Sequence, residues 1–365
     1  MASHLAFAKE GHKVIVVGEK VIETNPWRND RIKRQYTFAA KQALQEHHQQ
    51  NPKSSVELVM SFDNGPSEGF GLAEKRDGLG VIGYLYSTES FEASQIAMSK
   101  RIPYLSPVSP LISVRNDYSY SLASSHDDLN RGFSVLQKEF DRPSFVVMPQ
   151  TFLTNFEYAR IYEETFDVVA TFRGSTDHIW EKLEDHLRSF SKKGMVNVLL
   201  AGFLFEQMDL VQLLSQSPFA EKVNLIAHAQ WNYCPSLLSS SLAGKQPRLY
   251  VVSDYFDPPM LAAHGLPEEK EIINRFANLK LALGREPELQ GQSLDEPVVY
   301  VLKDMISIAL DVAERSGNRE EFNTNYSTLT FRGAAAVYRV NDKKTKKRIY
   351  LGKWEGNAIK PLTEL

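Results

Sequence analysis

One cysteine, Cys234, occurs in 365 residues, so no disulfide can close within the chain. That leaves the compartment open, because large domains do not need disulfides in oxidising spaces. Nothing in the sequence orients the nearby His228 toward the thiol, and Cys234 is not read as a nucleophile. No run of about 18 apolar residues occurs, which excludes a spanning helix. The net charge of -3 offers no attraction to nucleic acid or to an anionic membrane surface. The G-x-S-x-G, H-E-x-x-H, Walker A and C-x-x-C signatures are all missing, so an enzyme reading would need a site assembled from distant segments. His47 and His48 are adjacent, point to different helix faces and form no i, i+4 metal pair; they read as a solvated helix surface.

What is present is ordinary globular material. Apolar residues make up 42% and charged residues 24% of a chain long enough for two cores. Strand-like and helix-like segments alternate. His12 to Val17 reads as a strand, Glu19 to Arg31 as a polar loop holding Pro26 and Trp27, and Gln35 to His48 as a helix. A second series of strands runs through Ser144–Met148, Val168–Phe172, Val196–Leu200, Val223–Ala227 and Leu249–Ser253. Val298 to Ser316 carries Val298, Val301, Leu302, Met305, Ile308, Ala309 and Val312 at helical spacing, a core face. Such alternation predicts a parallel, doubly wound α/β sheet. The basic run Lys343 to Arg348, between two strand-like segments, reads as a solvated hairpin.

Gly78-Leu79-Gly80-Val81-Ile82-Gly83 fits G-x-G-x-x-G, but a helix precedes it and a strand runs through it, the reverse of a dinucleotide fingerprint. The more informative stretch is Val81 to Pro110: strand, polar turn, helix, then a strand ending in Ser-Pro-Val-Ser-Pro. Two parallel strands thus present Ser-rich loops at their C-terminal ends, where ligands bind on open α/β sheets. Ser87 and Thr88 also read simply as helix N-caps.

This stretch resembles the first lobe of type I periplasmic solute-binding proteins, the family of the branched-chain amino acid receptors, with their "IGP-x-S-S" turn and "IP-x-x-SP" strand end. The matching residues are Ile82-Gly83-Tyr84-Leu85-Tyr86-Ser87 and Ile102-Pro103-Tyr104-Leu105-Ser106-Pro107. The likeness continues through Leu283-Gly284-Arg285-Glu286-Pro287, Asp311 to Asn318, Phe331 to Val337, and Tyr350 to Trp354. It implies two Rossmann-like lobes with parallel sheets joined by a three-stranded hinge, the Venus flytrap fold. Crossovers near Leu122, Tyr255 and Gly333 would make 1–122 with 256–333 the first lobe and 123–255 with 334–365 the second, with a ligand cleft between them.

By the same resemblance, Ser87 matches the serine that holds a ligand carboxylate, with Thr88 beside it, and Ser109 lies where backbone and hydroxyl contacts come. Pro110 stands where a Thr is frequent, which removes one hydroxyl. Phe152 and Phe203 follow strands at positions where the family has ligand-facing Tyr. Gln230 and Trp231 lie near its acidic partner for a ligand ammonium, and no Asp or Glu falls in that loop. Trp27 would face the cleft from the first lobe, and Asp254 and Tyr255, near a crossover, would contact ligand or serve the hinge. Each aromatic also reads as packing; together they describe a cleft with flat apolar walls and few charges.

The resemblance implies a non-enzymatic, extracytoplasmic receptor of an ABC importer. Its partners would be a small polar or amino-acid-like ligand and a membrane permease, with no cofactor and no metal. Ala6-Phe7-Ala8 is similar to the end of a secretory signal, and the family likeness favours a trimmed signal and a periplasmic location. A sensor module of the same fold and an α/β enzyme with a dispersed site are the alternatives.

Overall fold

The computed structural model describes residues 13–20, 26–85, 87–107, 116–124, 126–149, 153–233, 235–242, 247–286, 289, 296–341 and 344–365. The chain divides into two compact units. Unit 1 is Met1–Ala123, Leu279–Gln290 and Val299–Thr345; unit 2 is Ser124–Asn278, Gly291–Val298 and Lys346–Leu365.

Unit 1 opens with β1 (Lys13–Lys20), α1 (Pro26–Gln50), β2 (Val56–Asp63), α2 (Pro66–Lys75), β3 (Gly80–Gly83), α3 (Ser87–Lys100), β4 (Tyr104–Ser106) and β5 (Ser119–Ser121). The strands form one sheet in the order β2-β1-β3-β4-β5, and every pairing is parallel. Val16, Phe70, Val81, Ala93, Ala97 and Tyr104 pack into one core between sheet and helices. The stretch expected to be a loop from Glu19 to Arg31 is shorter: Glu19 and Lys20 finish β1, and α1 already begins at Pro26, which places Trp27 in a helix. Proline suits a helix's first turn, where its missing N–H costs nothing, and an Asp30–Arg34 pair at 2.9 Å supports the next turns.

Unit 2 contains α4 (His126–Glu139), β6 (Ser144–Met148), α5 (Leu153–Thr165), β7 (Val168–Arg173), α6 (Thr176–Phe190), β8 (Val196–Leu200), α7 (Leu204–Gln216), β9 (Val223–His228), α8 (Pro235–Ser241), β10 (Arg248–Ser253) and α9 (Pro258–Ala263). The chain continues through α10 (Lys270–Leu283), α11 (Glu296–Glu314) and α12 (Arg319–Ser327). It ends in β11 (Thr330–Arg332), β12 (Val337–Asn341), β13 (Lys344–Lys346), β14 (Tyr350–Glu355) and β15 (Ala358–Glu364). In unit 2, β7, β6, β8, β9 and β10 run parallel, and β14 and β15 extend the sheet antiparallel. Alternate residues serve opposite faces. Val147, Val198, Leu200 and Leu225 face α6 and α7, while Val146, Met148, Leu199 and Ile226 face α4 and α5.

α11 is buried more widely than one face: Val299, Tyr300, Ile306 and Leu310 are inside along with the expected Val301, Leu302, Met305 and Ile308. It also carries two buried charges of unit 1. Lys303 pairs with Glu46. The Asp304 carboxylate accepts from Ala334 N at 2.7 Å, Ala335 N at 2.8 Å and Tyr338 OH at 3.2 Å, fixing the turn between β11 and β12. Two residues expected at a solvated surface are buried as well. His47 is 4% exposed and bonds Ser54 and Glu314, and Lys347 is 7% exposed.

β1 and β3 approach so closely that Gly83, at φ 131°, has no room for a side chain: a Cβ there would overlap the Gly18 carbonyl. Gly83→Ala is therefore expected to destabilise the protein by at least about 2 kcal/mol, read as a lower denaturant midpoint, because both backbone strain and overlap must be relieved.

Candidate functional site

The central strands β1, β3, β4, β6, β8 and β9 are sealed on both faces, so polar chemistry concentrates where they end. In unit 1 those ends are Glu19 and Lys20 of β1, the Gly83–Leu85 exit of β3 and Ser106 of β4. Glu19 is fully buried and accepts from Tyr36 OH at 2.7 Å, Leu85 N at 2.8 Å and Lys20 N at 3.0 Å. Burial outweighs these donors and pushes its carboxyl up to about 7. Lys20 pairs with Glu89 in the first turn of α3 at 3.3 Å. Tyr84 turns the chain out of β3 with φ 58°. Its carbonyl accepts from Ser90 Oγ at 2.6 Å, and Tyr104 OH bonds Gly83 O at 2.9 Å. This hydroxyl lattice locks the strand–turn–helix passage and sets where α3 begins.

That beginning is Ser87, so Ser87 and Thr88 occupy the first turn of α3 rather than a preceding loop. Thr88 is exposed. Ser109 and Phe152 lie outside the described residues, as do the side chains of Ser87 and Trp27.

In unit 2 the strand ends gather around Gly202, just past β8. Its carbonyl accepts from His228 Nε2 at 3.0 Å and Trp231 Nε1 at 2.9 Å. A Cβ on Gly202 would stand 2.5 Å from Gln207 Nε2 and 3.0 Å from Glu206 Oε2, so both side chains lie against it. Glu206 Oε2 accepts from Phe203 N and Asn155 Nδ2, each at 2.9 Å. His228 stacks on Tyr158 with ring centroids 3.6 Å apart and 9° between planes. Burial lowers the imidazole to about 3, so the ring is neutral at physiological pH. Burial also raises the Glu206 carboxyl.

Among the expected residues, Phe203 is half-buried and stacked on Phe205 at 5.5 Å and 15°, and Phe205 is 62% exposed. Gln230 is half-buried, in a 3-10 turn spanning Ala229–Tyr233. Trp231 is wholly inside unit 2 and acts on the strand-end loop through Gly202. Tyr255 is buried too, its hydroxyl on Asp257 at 2.7 Å and its carbonyl accepting from Asn232.

Beside Tyr255, Asp254 is a heavily bonded, buried carboxylate of unit 2. It accepts from Ser124 N at 3.0 Å, Ser124 Oγ at 2.9 Å, Tyr233 OH at 2.9 Å and Lys347 Nζ at 2.8 Å. Burial works against its charge, but Lys347 and the hydroxyl and amide donors prevail and hold the carboxyl below its ordinary value. Sequence reasoning singled out Asp254 with Tyr255 as a ligand contact or hinge residue near a crossover, and missed Lys347, Glu206 and Glu19. The placement of Asp254 and Glu19 at strand ends was the available signal.

No protein-family model matches the chain, and no curated protein matches it. Solved structures match along nearly its whole length. An ABC transporter substrate-binding protein from Desulfitobacterium hafniense, in complex with Leu, is 17% identical with a TM-score of 0.70, covering 96% of this chain and 100% of that one. A leucine binding protein from Thermotoga maritima is 16% identical with a TM-score of 0.68, covering 97% and 98%. A solute binding protein of an ABC transporter from R. palustris, in complex with benzoate, is 11% identical with a TM-score of 0.68, covering 97% and 96%. The chain has the α/β fold of type I periplasmic binding proteins. No helix among the described residues is long and apolar enough to cross a membrane.

Two expectations concern the buried carboxylates. Glu19 titrates near 4.5 when unfolded and near 7 when folded, so its stabilising contribution is full below about 4.5 and lost as pH rises to 7. Glu19→Gln is expected to remove about 3 kcal/mol of this pH dependence in denaturant melts between pH 4.5 and 7.5. Asp254 has the opposite sign: its contribution is present above its ordinary value and lost as pH falls through the lowered one. Asp254→Asn, which strands Lys347, should cost about 3–5 kcal/mol, and the double variant with Lys347→Met should be milder than the single one.

Proposed function

We propose that this chain is an extracytoplasmic solute-binding receptor that delivers a small polar or amino-acid-like ligand to the permease of an ABC importer. The observation that supports this reading most is the match, over 96–97% of the chain, to substrate-binding proteins carrying leucine or benzoate. The polar strand ends of each unit agree with it, since that edge of an α/β sheet is where ligands are held. The receptor makes and breaks no bond. In this reading the lobes are 1–122 with 256–333 and 123–255 with 334–365, and ligand is captured by hinge closure, driven by its higher affinity for the closed state. Ser87, Thr88 and Ser109 hold the ligand's polar head, with the amides and dipole of the α3 N-terminus favouring a carboxylate. Trp27, Phe152, Phe203 and Gln230 meet its body, while Trp231 and Tyr255 keep the unit 2 loops in place.

A thermal-shift screen of refolded, ligand-stripped protein against amino acids, amides, aromatic acids and nucleotides tests the proposal. A bound class should stabilise by about 2.7 kcal/mol at a hundredfold excess over Kd. Ser87→Ala with Thr88→Ala should reduce that shift without changing the unliganded melting temperature by more than about 3 °C. Absence of any shift, or conversion of a ligand to product, would overturn the receptor reading.

A further inference from the structure

Near the end of β1, Glu19 is a fully buried carboxylate, and no ion pair to it occurs among the described residues. The cation next in sequence, Lys20, is engaged by Glu89 in the first turn of α3 at 3.3 Å. Dipoles meet the Glu19 charge instead: the Tyr36 hydroxyl from α1, the Lys20 amide and the Leu85 amide. Around it stand Tyr84 at the exit of β3, whose hydroxyl lies against Gly18, Tyr104 of β4 and Glu89 of α3. β2 contributes the apolar Phe62 ring, edge-on to Tyr36 with centroids 6.2 Å apart. Burial raises the phenols of Tyr36 and Tyr104, which stay neutral at physiological pH, whereas burial and the like charge of Glu89 lift the Glu19 carboxyl into the neutral range.

The geometry decides what a proton does here. Glu19 Oε1 receives the Lys20 amide, and Oε2 receives both Tyr36 OH and the Leu85 amide. An amide can only donate, but a hydroxyl can turn and accept. A proton therefore enters at Oε2, facing Tyr36, and makes that oxygen a hydroxyl. A neutral hydroxyl is a weaker acceptor for Leu85 N than a carboxylate. The turn it would slacken is a strained one: Tyr84, just before Leu85, has φ 58°, a conformation that persists only when its surroundings enforce it. Two residues past Leu85, α3 begins.

We infer that Glu19 is a proton-operated latch on the β3–α3 turn: ionised, it grips the Leu85 amide and sets negative charge beside the start of α3; protonated, it slackens that grip and removes the charge, so that an anionic solute is taken up together with a proton and released as pH rises. The solute half of the inference rests on the receptor reading, which puts a carboxylate at the α3 N-terminus; the latch itself rests on unit 1 alone. Linkage is reciprocal, so an anion that favours the protonated carboxyl is itself bound better when that proton is present.

The first test needs no solute. The Leu85 amide resonance is followed by NMR from pH 5 to 9 in wild type, Glu19→Gln and Tyr36→Phe. In wild type it should move in one step centred near 7, the value to which burial pushes the Glu19 carboxyl. Glu19→Gln should abolish the step, and Tyr36→Phe, which removes a donor to the carboxylate, should move its midpoint upward. A wild-type amide that stays still, a step that survives Glu19→Gln, or a midpoint that Tyr36→Phe leaves unmoved or lowers overturns the latch. The second test titrates benzoate and L-leucine calorimetrically at pH 6 and pH 8.5. Binding should be about tenfold or more tighter at pH 6, and Glu19→Gln should make the two affinities equal. Equal wild-type affinities, or tighter binding at pH 8.5, overturn the solute half and leave both the receptor reading and the latch standing. If neither probe binds while the Leu85 amide still titrates, the solute half falls, and the receptor reading is decided by the wider thermal-shift panel.

Discussion

A strand sealed on both faces can offer polar atoms only at its ends, and this constraint organises both units. Val147, Val198 and Leu200 point one way and Val146 and Leu199 the other, and both sets are buried. Nothing along the middle of these strands is left to meet a solute. Chemistry is therefore displaced to Glu19, Gly83 and Ser106 in unit 1 and to Gly202 and His228 in unit 2, each at or just past a strand's C-terminal end. The helices that follow begin at fixed places because the turns before them are held by hydroxyl-to-carbonyl bonds, such as Ser90 on Tyr84.

Four buried carboxylates show how differently a negative charge can be accommodated at such places. Asp254 has a lysine, two hydroxyls and a backbone amide, which hold its carboxyl below the ordinary value despite burial. Asp304 has two backbone amides and a phenol, and serves to pin a turn. Glu19 has two amides and a phenol as well, yet its complete burial holds it near neutrality. Glu206 has one amide and one carboxamide on a single oxygen, with the other oxygen unused among the described residues. A lysine bonded directly to the carboxylate separates the first from the rest; Lys303 acts on Asp304 through its charge alone and does not outweigh burial there.

The regular parts of this arrangement were legible in the sequence. β6 and β8 occupy the expected stretches Ser144–Met148 and Val196–Leu200, because a parallel strand buried on both faces shows itself as a largely apolar run. The start of α1 was hidden because its first turns are polar and lack apolar spacing, although Pro26 was a usable signal. Lys347 reads as surface in a run of basic residues. Only the fold brings it to Asp254, 93 positions away, just as it brings Ser124 across 130. His47 is likewise buried by partners more than 260 positions distant. Periodicity reports which face of an element is inside; it carries no record of which charges meet there. Of the candidate site, the strand-end location was readable, the Glu206 and His228 cluster was not, and Ser109 and Phe152 lie outside the described residues.

The interleaving of the two units along the chain has a consequence for biosynthesis. Unit 1 draws on Val299–Thr345 after the bulk of unit 2 has been made, and unit 2 takes its last two strands from Lys346–Leu365. The five-stranded sheet of unit 1 is therefore synthesised early but without α11 and α12, whereas the unit 2 sheet stays incomplete to the end, β10 waiting for β14 across some hundred residues of intervening chain. Nascent forms expose an unpaired strand edge and apolar faces for most of translation, which favours completion of folding after synthesis over folding unit by unit as the chain emerges.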